Sequence, residues 1–543
     1  MSVRSGSLRQ LAFLALACGL GAAQDFDLIL QGGRIVDGMG NPWYRADLGI
    51  RDGRIAAIGD LKDRAASQIV ALREQTVTPG FIDMMAGSSI PLYRNAASGG
   101  SKLQQGITTM MAGEGGSDAP QGEHSKLQWR SFAQYFQLLE QHGVPLNVVH
   151  NVGAAQIRQI VIGDVDRTPT ADEMERMKQL VGQAMIDGAA GLSTALIYPP
   201  GTYARTDELV EMAKVAAKYG GFYSTHMRNE SAKVLDAIGE ALEIGRRANI
   251  PVHIYHLKAA GEENWPLMQR AIDLIRQARA DGMDVTADIY PYIRNGLGLS
   301  SLIHPRHYAQ GSEAFLKTLS DPQVRRELRR EIETTQDWEN WYRHVGSNWD
   351  NVLVAQMPEG GDKKFEGKSI AEIAKMSGKD QWNAFFDLVQ SGEVSVNPKS
   401  MNEEQKYLAL RAEFISFCTD SEPIDIAKAT NAHPRAFGSF PRVLAKYVRE
   451  EKIITLEMAI RKMTSLPANR LKLYDRGRIA PGMAADLVIF DPNTIQDTAT
   501  FTKPLSFPTG ISYVLVNGKI AIDHGQPTGE LAGRVLRYGT HLP

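Results

Sequence analysis

Between residues 79 and 474 the sequence repeats one alternation eight times, a short apolar run with strand character followed by an amphipathic stretch with helical spacing. The runs are GFIDMM, GITTMMAGE, LNVVHNV, AGLSTALIY, GFYSTH, PVHIYHLK, DVTADIYPY and EFISFCTD. Strands separated by helices argue for a parallel sheet with crossover helices. Eight such units predict an α/β fold, a (β/α)8 TIM barrel. The helical spacing supports this, because Val234, Ile238, Ala241, Leu242 and Gly245 fall on one face, as do Leu267, Ala271, Leu274, Ile275 and Ala278. Between the seventh and eighth runs lies a polar, Trp-containing stretch at about 300–412. It is long for a loop and predicts a helical insertion over one barrel face.

Both ends of the chain have a different texture. DLILQGGRIVDGMG and ADLGIRDGRIAAIGD near the start, and GRIAPGMAADLVIFDP and GISYVLVNGKIAIDHG near the end, alternate in period two with Gly-rich turns. Chain termini often lie close in space, so residues 24–78 and 475–543 are expected to form one small, split β-rich domain beside the barrel at 79–474. Ahead of them, Arg4 and Arg9 precede an apolar run from Leu11 to Leu20 and the small residues Gly21-Ala22-Ala23. This order of zones reads as a signal peptide over residues 1–23, hence an exported protein, periplasmic or secreted. A lipoprotein anchored at Cys18 is the minor alternative, since Ala15 stands where a lipobox has Leu. No stretch reaches the length of a permanent membrane span.

Charge and cysteine content narrow the chemistry. With 60 Lys+Arg against 62 Asp+Glu, no polyanion partner is implied, and the expected partner is a small-molecule substrate, not nucleic acid. Two cysteines, Cys18 and Cys418, exclude a disulfide scaffold and a zinc site built on several thiolates.

In a TIM barrel the reactive residues project from the C-terminal strand ends. Here those ends carry Glu114 between glycines, His226, His256 with Lys258, Tyr290, and Asp420. His226 and His256 are 30 residues apart, one strand, helix and return, so they should sit side by side. Two imidazoles and a carboxylate make a His2Glu zinc site with a fourth position open for water, and Glu114 is the candidate carboxylate. Glycine neighbours suit a close approach to a metal and a plain turn equally well. His253, at an odd spacing from His256, should face away from the site. Asp420 reads equally as the N-cap of a following helix or as a general base beside a metal-activated water. Arg435 reads as a solvated surface residue or as a bidentate clamp on a substrate carboxylate, aided by Lys258 or Tyr290.

With these residues collected, the chain resembles the amidohydrolase superfamily and, within it, the D-aminoacylase (N-acyl-D-amino-acid deacylase) family. The resemblance is carried by TPGFID, GLSTALIYPPG, STHMRNE, HLKAAG, DIYPY, Asp420 followed by AHPRAFGSFPRVL, TSLPANRL, GRIAPGMAADLVIFDP and GISYVLVNGK. It implies a TIM barrel with a small β-sandwich built from both chain ends, and zinc-dependent hydrolysis of the linear amide of N-acyl-D-amino acids. It also implies that His226 and His256 bind zinc, that Asp420 is the catalytic aspartate, that Lys258, Tyr290 and Arg435 hold the substrate carboxylate, and that Tyr198 is a pocket tyrosine. Two departures stand out. Met85 and Gly87 occupy the places of the family's two strand-one histidines, and Glu114 stands where the family usually has a cysteine ligand. One zinc per chain, on Glu114, His226 and His256, is therefore expected, although loss of the strand-one histidines is also compatible with loss of catalysis. Two other readings are a hydantoinase-like cyclic-amide hydrolase, disfavoured because STALIY at strand four offers no lysine, and a non-catalytic periplasmic binding protein that lost the metal.

Overall fold

Each of the eight apolar runs forms a strand, and together they close one barrel. They are β1 (Phe81–Asp83), β2 (Ile107–Ala112), β3 (Asn147–His150), β4 (Gly191–Ala195), β5 (Phe222–His226), β6 (Val252–Ile254), β7 (Val285–Ile289) and β8 (Ile415–Phe417). Neighbours pair in parallel, as in Leu192↔Tyr223, Thr225↔Ile254 and Ile289↔Phe417. The barrel closes where the Met84 N–H meets the Phe417 carbonyl at 3.4 Å and the Asp420 N–H meets that of Met85 at 2.9 Å. The computed structural model describes residues 25–309, 311–335 and 338–539. The leader, with Cys18, lies outside the described residues.

Strand alternation sorts the barrel into two layers. Along β7, Val285, Ala287 and Ile289 pack outward into the core shared with the helices. The helix Val234–Ala248 buries Val234, Ile238, Ala241, Leu242 and Gly245 on the expected face, each large apolar side chain contributing about 1.5–3 kcal/mol. The helix Ala171–Asp187 starts on a capping box, Thr170 with Glu173, and stops at Gly188 in the left-handed conformation, φ +112°. A second core, including Ile82, Met85, Met111, Phe222, Tyr255 and Cys418, fills the barrel interior.

The two chain ends meet in one nine-stranded sheet. Thr76–Pro79 pairs with Phe26–Ile35 on one side and with Leu487–Phe490 on the other, in the register Val77↔Ile489. Period two then divides the side chains, so that Leu487 and Ile489 join the core of this sheet while Val488 and Phe490 pack against the barrel.

The insertion differs from the sequence expectation. Its helices Ser312–Thr318, Pro322–Thr334, Ile370–Ser377 and Gln381–Gln390 surround a three-stranded antiparallel sheet of Leu297–Gly298, Ser395–Pro398 and Val352–Gln356, with a Trp-rich core of its own. The strands are two to five residues long and pair across some forty to a hundred residues, so no local period announces them. The helix Glu403–Arg411 belongs to the barrel, packing on the helix Leu267–Ala280 just before β8. Among the described residues no helix is long and apolar enough to cross a membrane.

Candidate metal centre at the barrel mouth

Glu114, His226 and His256 converge as their strand ends predict: one ligand atom from each lies within 4.8 Å of the other two. Each is placed by a specific local device. Glu114 follows β2 in a turn where Gly113 and Gly115 have φ of +93° and +83°. A side chain on Gly115 would come within 2.6 Å of the Ala195 backbone, and one on Gly113 within 2.5 Å of the Asn151 carbonyl. The glycines thus let this turn press against β3 and β4, which aims Glu114 inward. His226 is the last residue of β5. His256 lies beyond the end of β6 with φ +33°, held by its N–H donating to Asp288 Oδ1 at 2.6 Å.

That turn corrects one expectation. His253 does not face away; it lies in the barrel interior, where its ring nitrogens bond Thr286 Oγ1 at 2.8 Å and Asp288 Oδ2 at 2.9 Å. Strand alternation stops at Ile254 and the left-handed residue turns His256 back toward the axis, so parity cannot be counted from 253 to 256.

The electrostatics suit a cation between the three groups. Glu114 Oε1 faces His226 Nδ1 at 2.9 Å and His256 Nε2 at 3.3 Å, and the two rings stand nearly perpendicular, 4.5 Å apart. Burial pushes the Glu114 carboxyl up, but hydrogen bonding to both histidines outweighs it and holds the group at about 2. His226 Nε2 is buried without a hydrogen-bond partner, 3.4 Å from Glu230 Oε2. A carboxylate, two imidazoles and an unsatisfied ring nitrogen fit a divalent metal with nitrogen and oxygen preference.

Glu230 closes the strand-five end His226-Met227-Arg228-Asn229-Glu230, but the sequence assigns it no role. It is 1% exposed, and its Oε1 meets the Lys258 ammonium at 2.5 Å and His256 Nδ1 at 3.0 Å. It therefore orients His256 from behind and neutralises Lys258. Its one signal in the sequence is its position four residues after His226 in STHMRNE, which the strand-end count passes over.

The remaining candidates line the same small cavity, with Tyr198, Tyr290, Lys258 and Asp420 all on its wall. Asp420 has φ +50° and is not the N-cap of a helix; the next helix begins at Arg435. Its Oδ2 accepts from Arg435 Nη1 at 2.5 Å. Burial raises the Asp420 carboxyl above the ordinary range despite the opposing Arg435 and His256 charges. Arg435 is buried, not solvated, with its guanidinium over the Tyr290 ring at 4.9 Å. Gly296 makes this possible, since a side chain there would approach Arg435 Nη2 to 2.6 Å. Tyr198 meets His226 edge-on at 5.4 Å. Lys406 is a further amine missed by strand-end counting, because it comes from the helix before β8; its Nζ lies 4.9 Å from the Tyr290 ring, and burial lowers its pKa to about 7. Cys418 is fully buried and burial pushes its thiol well up, which removes it as a nucleophile.

At strand one, Met85 is packed into the interior core and Gly87 has φ +67°, so neither presents a metal donor. Beside them Lys102 is wholly buried, its ammonium on Asp83 Oδ2 at 2.9 Å, Thr419 Oγ1 at 2.6 Å and the Ser421 carbonyl at 2.5 Å. This cation ties β1 to both neighbours of Asp420. Lys102→Met leaves the Asp83 carboxylate buried without its partner, and a loss of about 3–5 kcal/mol of stability is expected in denaturant unfolding.

Comparison with known proteins agrees with this architecture. The family model described as "Amidohydrolase family" matches residues 409–522. The D-aminoacylase of Alcaligenes xylosoxydans xylosoxydans is 35% identical over 529 residues, spanning 95% of this chain and 98% of that protein. The chain belongs to the D-aminoacylase family of amidohydrolases. A crystal structure of D-aminoacylase superposes with a TM-score of 0.79 at 30% identity, covering 94% of this chain and 99% of the other. The N-acyl-D-glutamate deacylase of Bordetella bronchiseptica, solved with zinc and a phosphonate mimic of the tetrahedral intermediate, gives 0.78 at 31% identity over 94% and 99% of the two chains. The expected fold, a TIM barrel from the eight runs with the β-sandwich that the resemblance implies for both ends, is the fold of this family. The N-acyl-D-glutamate deacylase of Alcaligenes xylosoxydans xylosoxydans is 34% identical over 526 residues, spanning 95% of this chain and 97% of that protein.

Proposed function

We propose that the protein is an exported, single-zinc deacylase that cleaves N-acyl-D-amino acids or related small amides bearing a carboxylate. The observation that carries this reading is the convergence of Glu114, His226 and His256 on one cavity that also holds Asp420. The names of the relatives supply the D configuration, and the leader sequence supplies the export.

Glu114, His226 and His256 would hold the zinc, which when bound polarises a carbonyl and acidifies a water. The protein's own groups do the rest. Arg435, Lys258 and Tyr290 orient the substrate carboxylate, Arg435 having donors beyond the one given to Asp420. Asp420 takes the proton of the attacking water and returns it to the leaving amine nitrogen, so a carboxylic acid and a free amino acid depart. Only the ionised Asp420 can take that proton. Activity is therefore expected to rise as pH rises through the Asp420 pKa, which burial raises and a bound zinc would lower. Arg435 holds that pKa down, so Arg435→Met is expected to move the acid limb to higher pH; a limb that stays put or moves to lower pH separates Asp420 from the proton transfer.

Hydrolysis of matched N-acetyl-D- and N-acetyl-L-amino acids by the purified protein tests the substrate class. Release of the D-amino acid alone is expected. Release of neither, or of both at equal rates, rejects it.

A further inference from the structure

The cavity around the metal cluster is small, about 40 Å³, room for one or two waters. Next to it lies a second cavity of about 830 Å³, with Tyr198 and Trp341 forming the wall shared by the two. It is bounded by the segments after β4 and β5 and by the insertion. An acetyl group leaves such a volume almost empty, whereas it falls in the range of sites for much larger ligands.

Barrel order decides which end of the substrate points there. A trans amide places its acyl chain and its amino-acid part at opposite ends of a planar unit. In the deacylase reading, on which this inference rests, the carboxylate is held by residues after β6, β7 and β8. The acyl end then points across the metal toward β4 and β5, where the large cavity lies.

Its chemistry is anionic and aromatic. The wall carries six carboxylates against three Lys or Arg side chains. One of those cations, Arg228, is engaged by Glu240 and by the Thr202 and Ala204 carbonyls. At the inner end stands Glu339, 8% exposed, delivered by the insertion. Its Oε1 accepts the Glu230 N–H at 2.6 Å, while its Oε2 is buried with no partner. Tyr198, Tyr203, Tyr308, Trp338 and Trp341 line the same cavity. An ammonium both satisfies a buried carboxylate oxygen and gains from aromatic faces.

We infer that this cavity is the acyl pocket and that it selects long acyl groups ending in an ammonium, with Glu339 as the specificity-determining residue. In the empty pocket, burial with Glu230 adding to it pushes the Glu339 carboxyl up to about 8, so the group is largely protonated near neutrality, and an ammonium beside Oε2 draws it to the ionised form that the pairing needs.

The test compares kcat/KM for N-acetyl-, N-hexanoyl- and N-(6-aminohexanoyl)-derivatives of one D-amino acid, in wild type and in Glu339→Gln. The 6-aminohexanoyl substrate is expected to exceed the hexanoyl one by at least about tenfold, a ratio that falls to near one in Glu339→Gln. A wild-type ratio near one, or a ratio unchanged in the variant, overturns the inference. Calorimetric titration with 6-aminohexanamide and hexanamide reads the pocket without turnover. If no amide is hydrolysed but the cationic amide binds tighter in a Glu339-dependent way, the deacylase reading falls and the cation-selective pocket stands; equal binding overturns the pocket as well.

Discussion

Asp420→Asn is expected to lower kcat on an N-acetyl-D-amino acid by about 10³-fold or more while the protein keeps its fold and its metal. General-base catalysis contributes roughly 10²–10⁴-fold in rate, equivalent to about 3–5 kcal/mol of barrier. Asn at 420 can still accept a hydrogen bond from Arg435, so the geometry around the guanidinium survives, but an amide cannot take a proton from water. The backbone is secured independently, by the Asp420 N–H on the Met85 carbonyl and by Lys102 on both neighbouring residues. A folded, metal-loaded Asp420→Asn enzyme with near wild-type kcat removes Asp420 from the chemistry.

Glu114→Ala should act on a different quantity. It deletes the one carboxylate ligand of the cluster and leaves only the two imidazoles, so metal affinity is expected to fall by more than about 10²-fold, beyond the 10–100-fold typical of losing a supporting group, with activity falling in parallel at limiting zinc. Excess zinc should restore part of the rate, which distinguishes lost binding from lost chemistry. Glu114→Cys is expected to retain metal, because a thiolate supplies the same single negative charge. Full zinc content in Glu114→Ala after dialysis removes Glu114 from the ligand set.

These two residues also show how far the sequence carries. Glu114, His226, His256 and Asp420 were all legible from one geometric fact, that barrel strands deliver their C-terminal ends to one mouth. Strand spacing alone could not decide Asp420 or Arg435, whose alternatives as a helix cap and a surface cation were settled by three-dimensional surroundings. The buried pair they form joins positions fifteen residues apart, across a loop with no period.

What stayed hidden has a common cause. Glu230 lies four residues beyond its strand, Lys406 arrives from a helix, and Glu339 arrives from the insertion; none stands at a strand end. His253 shows the reverse failure, where period-two counting was carried past the last strand residue into a left-handed turn at His256. The small sheet inside the insertion is assembled from strands too short for alternation to register and too far apart for turn signals to link. Local patterns report local pairing, and these features are built by long-range contact.

The single-metal centre is tested most directly by adding zinc back to the chelator-stripped, full-length protein while following D-amino acid release. Stripped protein should be folded and inactive, with activity rising to a plateau at about one zinc per chain. Undiminished activity after complete stripping, or a plateau reached only at two zinc ions per chain, would contradict a centre built on Glu114, His226 and His256.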